Sequence, residues 1–208
     1  MSLNACFCKH FFLESKVDAL YNAAFLFKKL LDTEYVFVLG KKNVKVTIHL
    51  IFHDTNFYHL AGLQHLEDIA HLRRNKKEIF EKILNRQIKI EDLQKSRFYK
   101  DIEGRVAALS LLPSLLDSNE TVFKYNKERN CFSLIDADYL LENTADKQTL
   151  YTFLARYPDN NFFCRSFFPK EKKDYSVGQT RWTLLFKKKI NKSANTEEIL
   201  FRHKNFKG

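Results

Sequence analysis

Between Val44 and Phe52 apolar and polar side chains alternate: Val44, Val46, Ile48, Leu50 and Phe52 fall on one face, Lys45, Thr47 and His49 on the other. A period of two is the signature of a strand with one buried face. Tyr35–Leu39 forms a second strand-like run, and Gly40-Lys41-Lys42-Asn43 supplies the turn between them, so the stretch predicts a β-hairpin. Before it, Val17, Leu20, Tyr21, Ala24, Phe27 and Leu31 recur at helical spacing, which predicts a helix over Ser15–Asp32. Ser15 with Asp18 three residues on resembles a capping box.

From Phe57 to Asp117 the period becomes helical. Phe57–Leu66 is expected to open a helix running towards Leu72. Lys76–Arg86 predicts a second helix with Ile79, Phe80, Ile83 and Leu84 inward, Ile90–Gln94 a short helical turn, and Phe98–Leu116 a longer helix that Pro113 kinks or shortens. Strands return at Thr121–Tyr125, Cys131–Ile135, Leu150–Ala155, Asn161–Phe168 and Trp182–Lys189, while Asp136–Glu142 fits a strand or one helical turn. The residues from Asn191 read as a polar, loosely ordered tail.

This order predicts a single α+β domain over residues 1–208: helix and hairpin in 14–56, a helical block in 57–117, antiparallel strands in 118–190, and a basic tail in 191–208. The expected architecture is one antiparallel β-sheet, early hairpin plus C-terminal strands, with the N-terminal helix and the central helical block packed against it. Only 5 Gly and 3 Pro are present, which argues against a turn-rich all-β protein, and the 20 Phe predict an aromatic core.

Charge sharpens the picture. The net charge is +10, and residues 165–208 hold 12 Lys/Arg against 4 Asp/Glu, so the excess is concentrated in the last fifth of the chain. Such a region suits a polyanion, nucleic acid first and an anionic membrane second. Four cysteines with no evident secretory leader fit a reducing, cytoplasmic compartment, and no apolar run is long enough to span a membrane.

The candidate chemistry begins in Phe57–Leu66, where His59 and His65 sit among apolar residues. Six residues apart on one helix, they do not form the four-apart pair of a helical metal site. Cys6-Phe7-Cys8-Lys9-His10 lacks a second half, so no metal site is expected. His59 alone has a pKa suited to acid or base work, at what reads as a strand-to-helix junction with free N–H groups. The plain alternative is a histidine packed between Phe57 and Leu63. Arg105 lies on an apolar helix, where it either pairs with Asp101 or turns into a cleft as a phosphate clamp. Arg165, Ser166, Tyr175 and Gln179 surround a lysine-rich turn with groups able to hold phosphate, base or ribose, and an ordinary charged hairpin reads equally well. Lys41, Arg165, Lys172, Lys173, Arg181 and Lys187 are the candidate phosphate contacts.

Four elements occur in a telling order: Phe57-Tyr58-His59-Leu60-Ala61-Gly62-Leu63, then Ser96…Phe98…Ile102…Arg105, then Ile135-Asp136-Ala137-Asp138-Tyr139-Leu140-Leu141, then Ser166-Phe167-Phe168…Tyr175…Gln179. Together they resemble the phage-associated nuclease-like domains of the barnase–EndoU–colicin–RelE group, closest to its fourth family, over about residues 15–190. The resemblance implies a toxin-like, phage or mobile-element endoribonuclease that uses no metal or other cofactor. The ribose 2′-hydroxyl would attack the adjacent phosphate and leave a cyclic phosphate. His59 would be base or acid, with Arg105, Ser166, Tyr175 and Gln179 around the phosphate and ribose. The implied partners are RNA, tRNA or another structured RNA, and a cognate antitoxin or immunity protein, with no membrane. One departure stands out: no second histidine lies in the C-terminal strands, since His203 falls in the tail. A non-catalytic nucleic-acid-binding protein and a basic protein-interaction or inhibitor module are the competing readings.

Overall fold

A computed structural model describes residues 18–118, 121–130, 133–145 and 147–207. The Cys6–His10 cluster and Ser15 lie outside these residues. Helix α1 (Ala19–Leu30) starts on Asp18, whose Oδ1 accepts hydrogen bonds from the Leu20 and Tyr21 N–H groups at 2.8 and 3.2 Å. Asp18 therefore caps the helix. Its other carboxylate oxygen accepts from Ile90 N at 3.1 Å, tying the start of α1 to the start of the short helix Ile90–Gln94.

The hairpin forms as expected from β1 (Thr33–Lys41) and β2 (Val44–Leu50), with Tyr35 opposite Leu50 and Lys41 opposite Val44. Its two turn residues, Lys42 and Asn43, have φ of 45° and 65°, the left-handed pair that matches strand twist in a two-residue hairpin. Next come α2 (Asp54–Leu60), α3 (Lys76–Leu84) and α4 (Ile90–Gln94). The long helix expected over Phe98–Leu116 is instead three pieces: a 3-10 turn at Tyr99–Asp101, α5 (Glu103–Leu109) and α6 (Leu112–Ser118). Pro113 explains the last break, because proline lacks an N–H and is tolerated only in a helix's first turn, where it sits in α6.

The remaining strands are β3 (Thr121–Lys124), β4 (Tyr139–Ala145), β5 (Gln148–Arg156), β6 (Phe162–Pro169), β7 (Thr180–Asn191) and β8 (Thr196–Arg202). Asp136–Glu142 thus resolves towards a strand, whereas Ser133–Ile135 of the expected Cys131–Ile135 strand is irregular. The supposedly loose tail holds β8, paired with β7 from Asn191 opposite Thr196 to Phe186 opposite Arg202.

The sheet also departs from expectation. Its order is β1-β2-β6-β5-β4-β3-β7-β8, and β1 pairs again with β7, so the first seven strands close into a barrel. Closure runs through β2 and β6, which meet parallel at Leu50 and Phe162, with Ile51 N donating to Phe162 O at 2.9 Å. The sheet is therefore mixed, and the purely antiparallel reading is corrected. Periodicity reports which face of a strand is buried but not the direction of its neighbour.

One apolar cluster joins the barrel interior to the helices. Phe27 of α1 sits at its centre, edge-on to Phe52, Phe57 and Phe80 at 5.9, 5.5 and 5.9 Å. A second cluster, Tyr125, Leu140, Tyr151 and Phe153, gathers Phe168 and Tyr175 on the other face of β3–β6. Side chains alternate along a strand, so Phe167 joins the first cluster and Phe168 the second.

Candidate active site

The segment Phe57–Leu66 closes a helix rather than opening one. Ala61 N bonds to Phe57 O at 2.9 Å, and Gly62 follows at φ 77°, the left-handed stop that ends many helices. His59 thus lies in the last turn of α2, and the free N–H groups expected around it are absent from that position. The glycine does more than stop the helix. A Cβ there would lie 2.8 Å from Ile102 Cγ2 and 3.1 Å from Arg105 Cδ, so the missing side chain is what lets Arg105 pass.

α2 and α5 both pack on β6, and two cavities open along that strand. The smaller, about 160 Å³, is lined by Asn56, His59, Gln64, Phe163, Cys164, Arg165 and Ser166. The larger is a cleft of about 600 Å³ whose walls include Gln64, His65, Asp101, Arg105, Arg165, Ser166, Phe168, Glu171, Lys172, Lys173 and Tyr175. Gln64, Arg165 and Ser166 belong to both, so the cavities share a wall.

Arg105 does not pair with Asp101. Its Nη1 donates to Ser166 Oγ at 3.2 Å, its guanidinium carbon lies 4.7 Å over the Phe168 ring, and no carboxylate among the described residues forms an ion pair with it. Burial lowers its pKa, with Glu171 and Tyr175 opposing, and the guanidinium stays charged. A half-buried cation over an aromatic ring, with no ion-pair partner among the described residues, is arranged to receive an anion.

His59 is held neutral. Lys76 Nζ lies 2.7 Å from its Nε2, and an ammonium has only protons to give, so Nε2 accepts and the ring's own proton sits on Nδ1. Burial first, then Lys76, Arg165 and His65, push its pKa below the ordinary value. His65 is lowered too, by burial of part of its ring and by Arg105. Its Nε2 is 3.1 Å from Gln64 Nε2, while Gln64 Oε1 is buried without a partner among the described residues. Tyr175 packs edge-on against Tyr151, Phe153 and Phe168 at 5.6, 5.4 and 5.5 Å, and burial raises its pKa, so its hydroxyl stays protonated. The loop carrying it is organised by Asp174, which accepts from Tyr151 Oη at 2.9 Å, from Ser176 Oγ at 2.7 Å and from Lys170 Nζ.

The structure thus brings together His59, Arg105, Arg165, Ser166, Lys172, Lys173 and Tyr175. It does not bring in the others. Gln179 points its amide at Asn126, accepting from N at 2.8 Å and donating to O at 3.0 Å, and lines neither cavity. Lys41 reaches Arg181 O at 3.4 Å, away from the cleft. Lys187 is 1% exposed and donates to Leu116 O and Asp117 O at 3.0 and 2.7 Å, so it caps the end of α6 and is out of reach of a phosphate. Among the described residues no three His, Cys, Asp or Glu side chains are grouped to hold a metal ion, and no helix is long and apolar enough to cross a membrane.

A family model described as phage-Barnase-EndoU-ColicinE5/D-RelE like nuclease4 (PBECR4) matches residues 19–204. The chain belongs to this nuclease family. Searches of curated proteins and of solved structures gave no match. Both cavities of this PBECR4 chain fall inside the matched span. Sequence reasoning did not select Lys76, Gln64, His65 or Glu171 as site residues of the PBECR4 fold. His65 had a signal, since the left-handed Gly62 breaks the helix on which six-residue spacing kept it from His59. Lys76 had none, because 17 residues and a change of element separate it from His59.

Proposed function

We propose that the protein is a metal-independent endoribonuclease that cleaves RNA by attack of a ribose 2′-hydroxyl on the adjacent phosphate. The observation that carries the reading is the shared wall, Gln64–Arg165–Ser166, which sets the His59 cavity against the Arg105–Tyr175 cleft. A phosphate at that wall meets the Arg105 and Arg165 guanidiniums and the Ser166 hydroxyl, donors suited to the charge of a phosphorane. It also offers Lys76 a stronger acceptor than an imidazole. Release of His59 Nε2 then frees a neutral base for the 2′-hydroxyl proton. Tyr175, kept protonated by burial, supplies a proton to the departing 5′-oxygen. A structured RNA target such as tRNA, a toxin-like role in the cytoplasm and a cognate antitoxin or immunity protein accompany this reading and rest on the family.

Incubation with end-labelled RNA in EDTA tests it. The expected products carry 2′,3′-cyclic phosphate and 5′-hydroxyl ends, and a folded His59→Ala variant loses at least about 100-fold in rate. Intact RNA retained at low salt would select a non-catalytic binding protein instead. Undiminished cleavage by folded His59→Ala would remove that residue as the base.

A further inference from the structure

Residues 40–47, 180–187 and 199–207 contain no Asp or Glu. The register sets them side by side: Gly40 pairs with both Lys45 and Thr183, and Phe186 with both Val38 and Arg202. The hairpin tip contributes Lys41, Lys42 and Lys45. β7 contributes Arg181, and β8 with the residues after it contributes Arg202, Lys204 and Lys207. None of these cations forms an ion pair among the described residues. The lysines further along behave differently: Lys188 pairs with Glu197, Lys189 with Asp117 and Lys192 with Glu34.

This basic end also holds a groove. On one edge of β7, β3 covers Thr180–Trp182, β8 covers Phe186–Asn191 and His203 N donates to Leu185 O at 2.8 Å, so residues 183 and 184 have no strand beside them there among the described residues. The gap opens about 390 Å³ lined by Arg181, Trp182, Thr183, Leu184, Phe201 and His203. Beside it Phe206 stacks on Phe186 at 5.3 Å, with Lys45 Nζ 5.2 Å over the first ring and Arg202 Cζ 5.3 Å over the second. Aromatic walls fringed by uncompensated cations suit a single-stranded nucleic acid, whose bases stack while its phosphates meet the charges.

The groove is remote from the cleft. In the closed ring β6 is separated from β7 by β2 and β1 one way and by β5, β4 and β3 the other. At about 4.8 Å per strand step that path is roughly 15–20 Å, which a chain rising about 3.4 Å per nucleotide covers with about five nucleotides.

We propose that this end of the barrel is a second RNA-binding surface, so that the substrate is an RNA long enough to occupy cleft and groove together rather than a di- or trinucleotide. The identity of the ligand as RNA rests on the ribonuclease reading. The triple variant Lys42→Glu, Lys45→Glu, Lys204→Glu changes three exposed positions outside the cleft. With its thermal unfolding unchanged, its affinity for a roughly 30-nucleotide RNA is expected to fall at least about tenfold at low salt, and the slope of log affinity against log salt to shrink by about 2. KM for the long RNA rises, while cleavage of a dinucleotide stays at the parent rate. Unchanged affinity and slope for the long RNA overturn the second surface, as does an equal loss on dinucleotide and long RNA. Affinity is read without turnover, so intact binding losses with no cleavage by any variant count against the ribonuclease reading and support the surface.

Discussion

Replacing Gly62 with Ala tests the arrangement that places Arg105. Two costs add. Gly62 sits at φ 77°, where an L-residue is disfavoured by about 1–2 kcal/mol. The new methyl would also lie 2.8 Å from Ile102 Cγ2 and 3.1 Å from Arg105 Cδ. Ile102 is fully buried and has nowhere to swing, so relief must come from the backbone or from Arg105. Overpacking of this kind costs about 1–3 kcal/mol. The expected loss is about 2–5 kcal/mol, or roughly 4–20 °C in Tm for a chain of this length. Gly178→Ala separates the two costs, because Gly178 shares the positive φ, 72°, yet among the described residues its methyl would meet only Arg129 Cδ at 3.7 Å. Thermal and denaturant unfolding of both variants should show Gly62→Ala the more destabilised by at least about 1 kcal/mol. Equal losses would mean that the close approach of Arg105 and Ile102 is absent in solution. RNA cleavage by Gly62→Ala should fall further than its stability explains, because Arg105 is displaced from Ser166.

Other expectations follow from the same geometry. Lys76→Met removes a cation that opposes protonation of His59, so an NMR titration should show the His59 pKa rise towards its ordinary value while burial, with Arg165 and His65, still holds it below. The acid limb of the cleavage profile should move to higher pH with it, and an unmoved titration would sever Lys76 from His59. The Asp174 carboxyl is held below the usual carboxylate range, first by Lys170 and then also by Ser176 and Tyr151, against an opposing effect of burial. Its stabilising contribution is therefore present above the unfolded value of about 3.9 and is lost as the pH falls below it. Asp174→Asn should cost about 1–3 kcal/mol at neutral pH and flatten the acid side of the stability curve, as measured by urea unfolding from pH 7 to 3. Lys187→Met should destabilise by about 1–3 kcal/mol by stripping donors from Leu116 O and Asp117 O, yet leave RNA affinity unchanged in filter binding.

Much of the local structure was legible because a strand or helix announces its buried face by period. Ile48 and Leu50, and likewise Ile79, Phe80 and Ile83, are buried as their spacing requires. Arg105, Ser166 and Tyr175 were grouped only by the family resemblance; from its helix alone Arg105 was as ready to pair with Asp101, whereas in the structure it donates to Ser166. Four features were not readable. Barrel closure rests on one parallel contact, Leu50 with Phe162, 112 residues apart in the chain and without a pattern of its own. β8 is polar enough to pass for a tail, because it borrows its order from β7. Lys187 looks like one more surface lysine in Lys187-Lys188-Lys189, and only the carbonyls at the end of α6 make its burial tolerable. Lys76 becomes part of the site only when α3 folds back on α2.

The sequence by itself determined the α+β class, the presence of the hairpin and the residue types able to hold a phosphate, because these follow from periodicity and side-chain chemistry within short windows. The hairpin's register, Lys41 opposite Val44, came only with the structure. Tertiary structure alone decided that His59 is a neutral imidazole held by Lys76, that Gln179 and Lys187 serve the scaffold, and that the positive charge divides between a cleft on β6 and the far end of β7. Those outcomes depend on which side chains meet across the closed barrel. A group's partners and its exposure, more than its type, set its charge state and its reach.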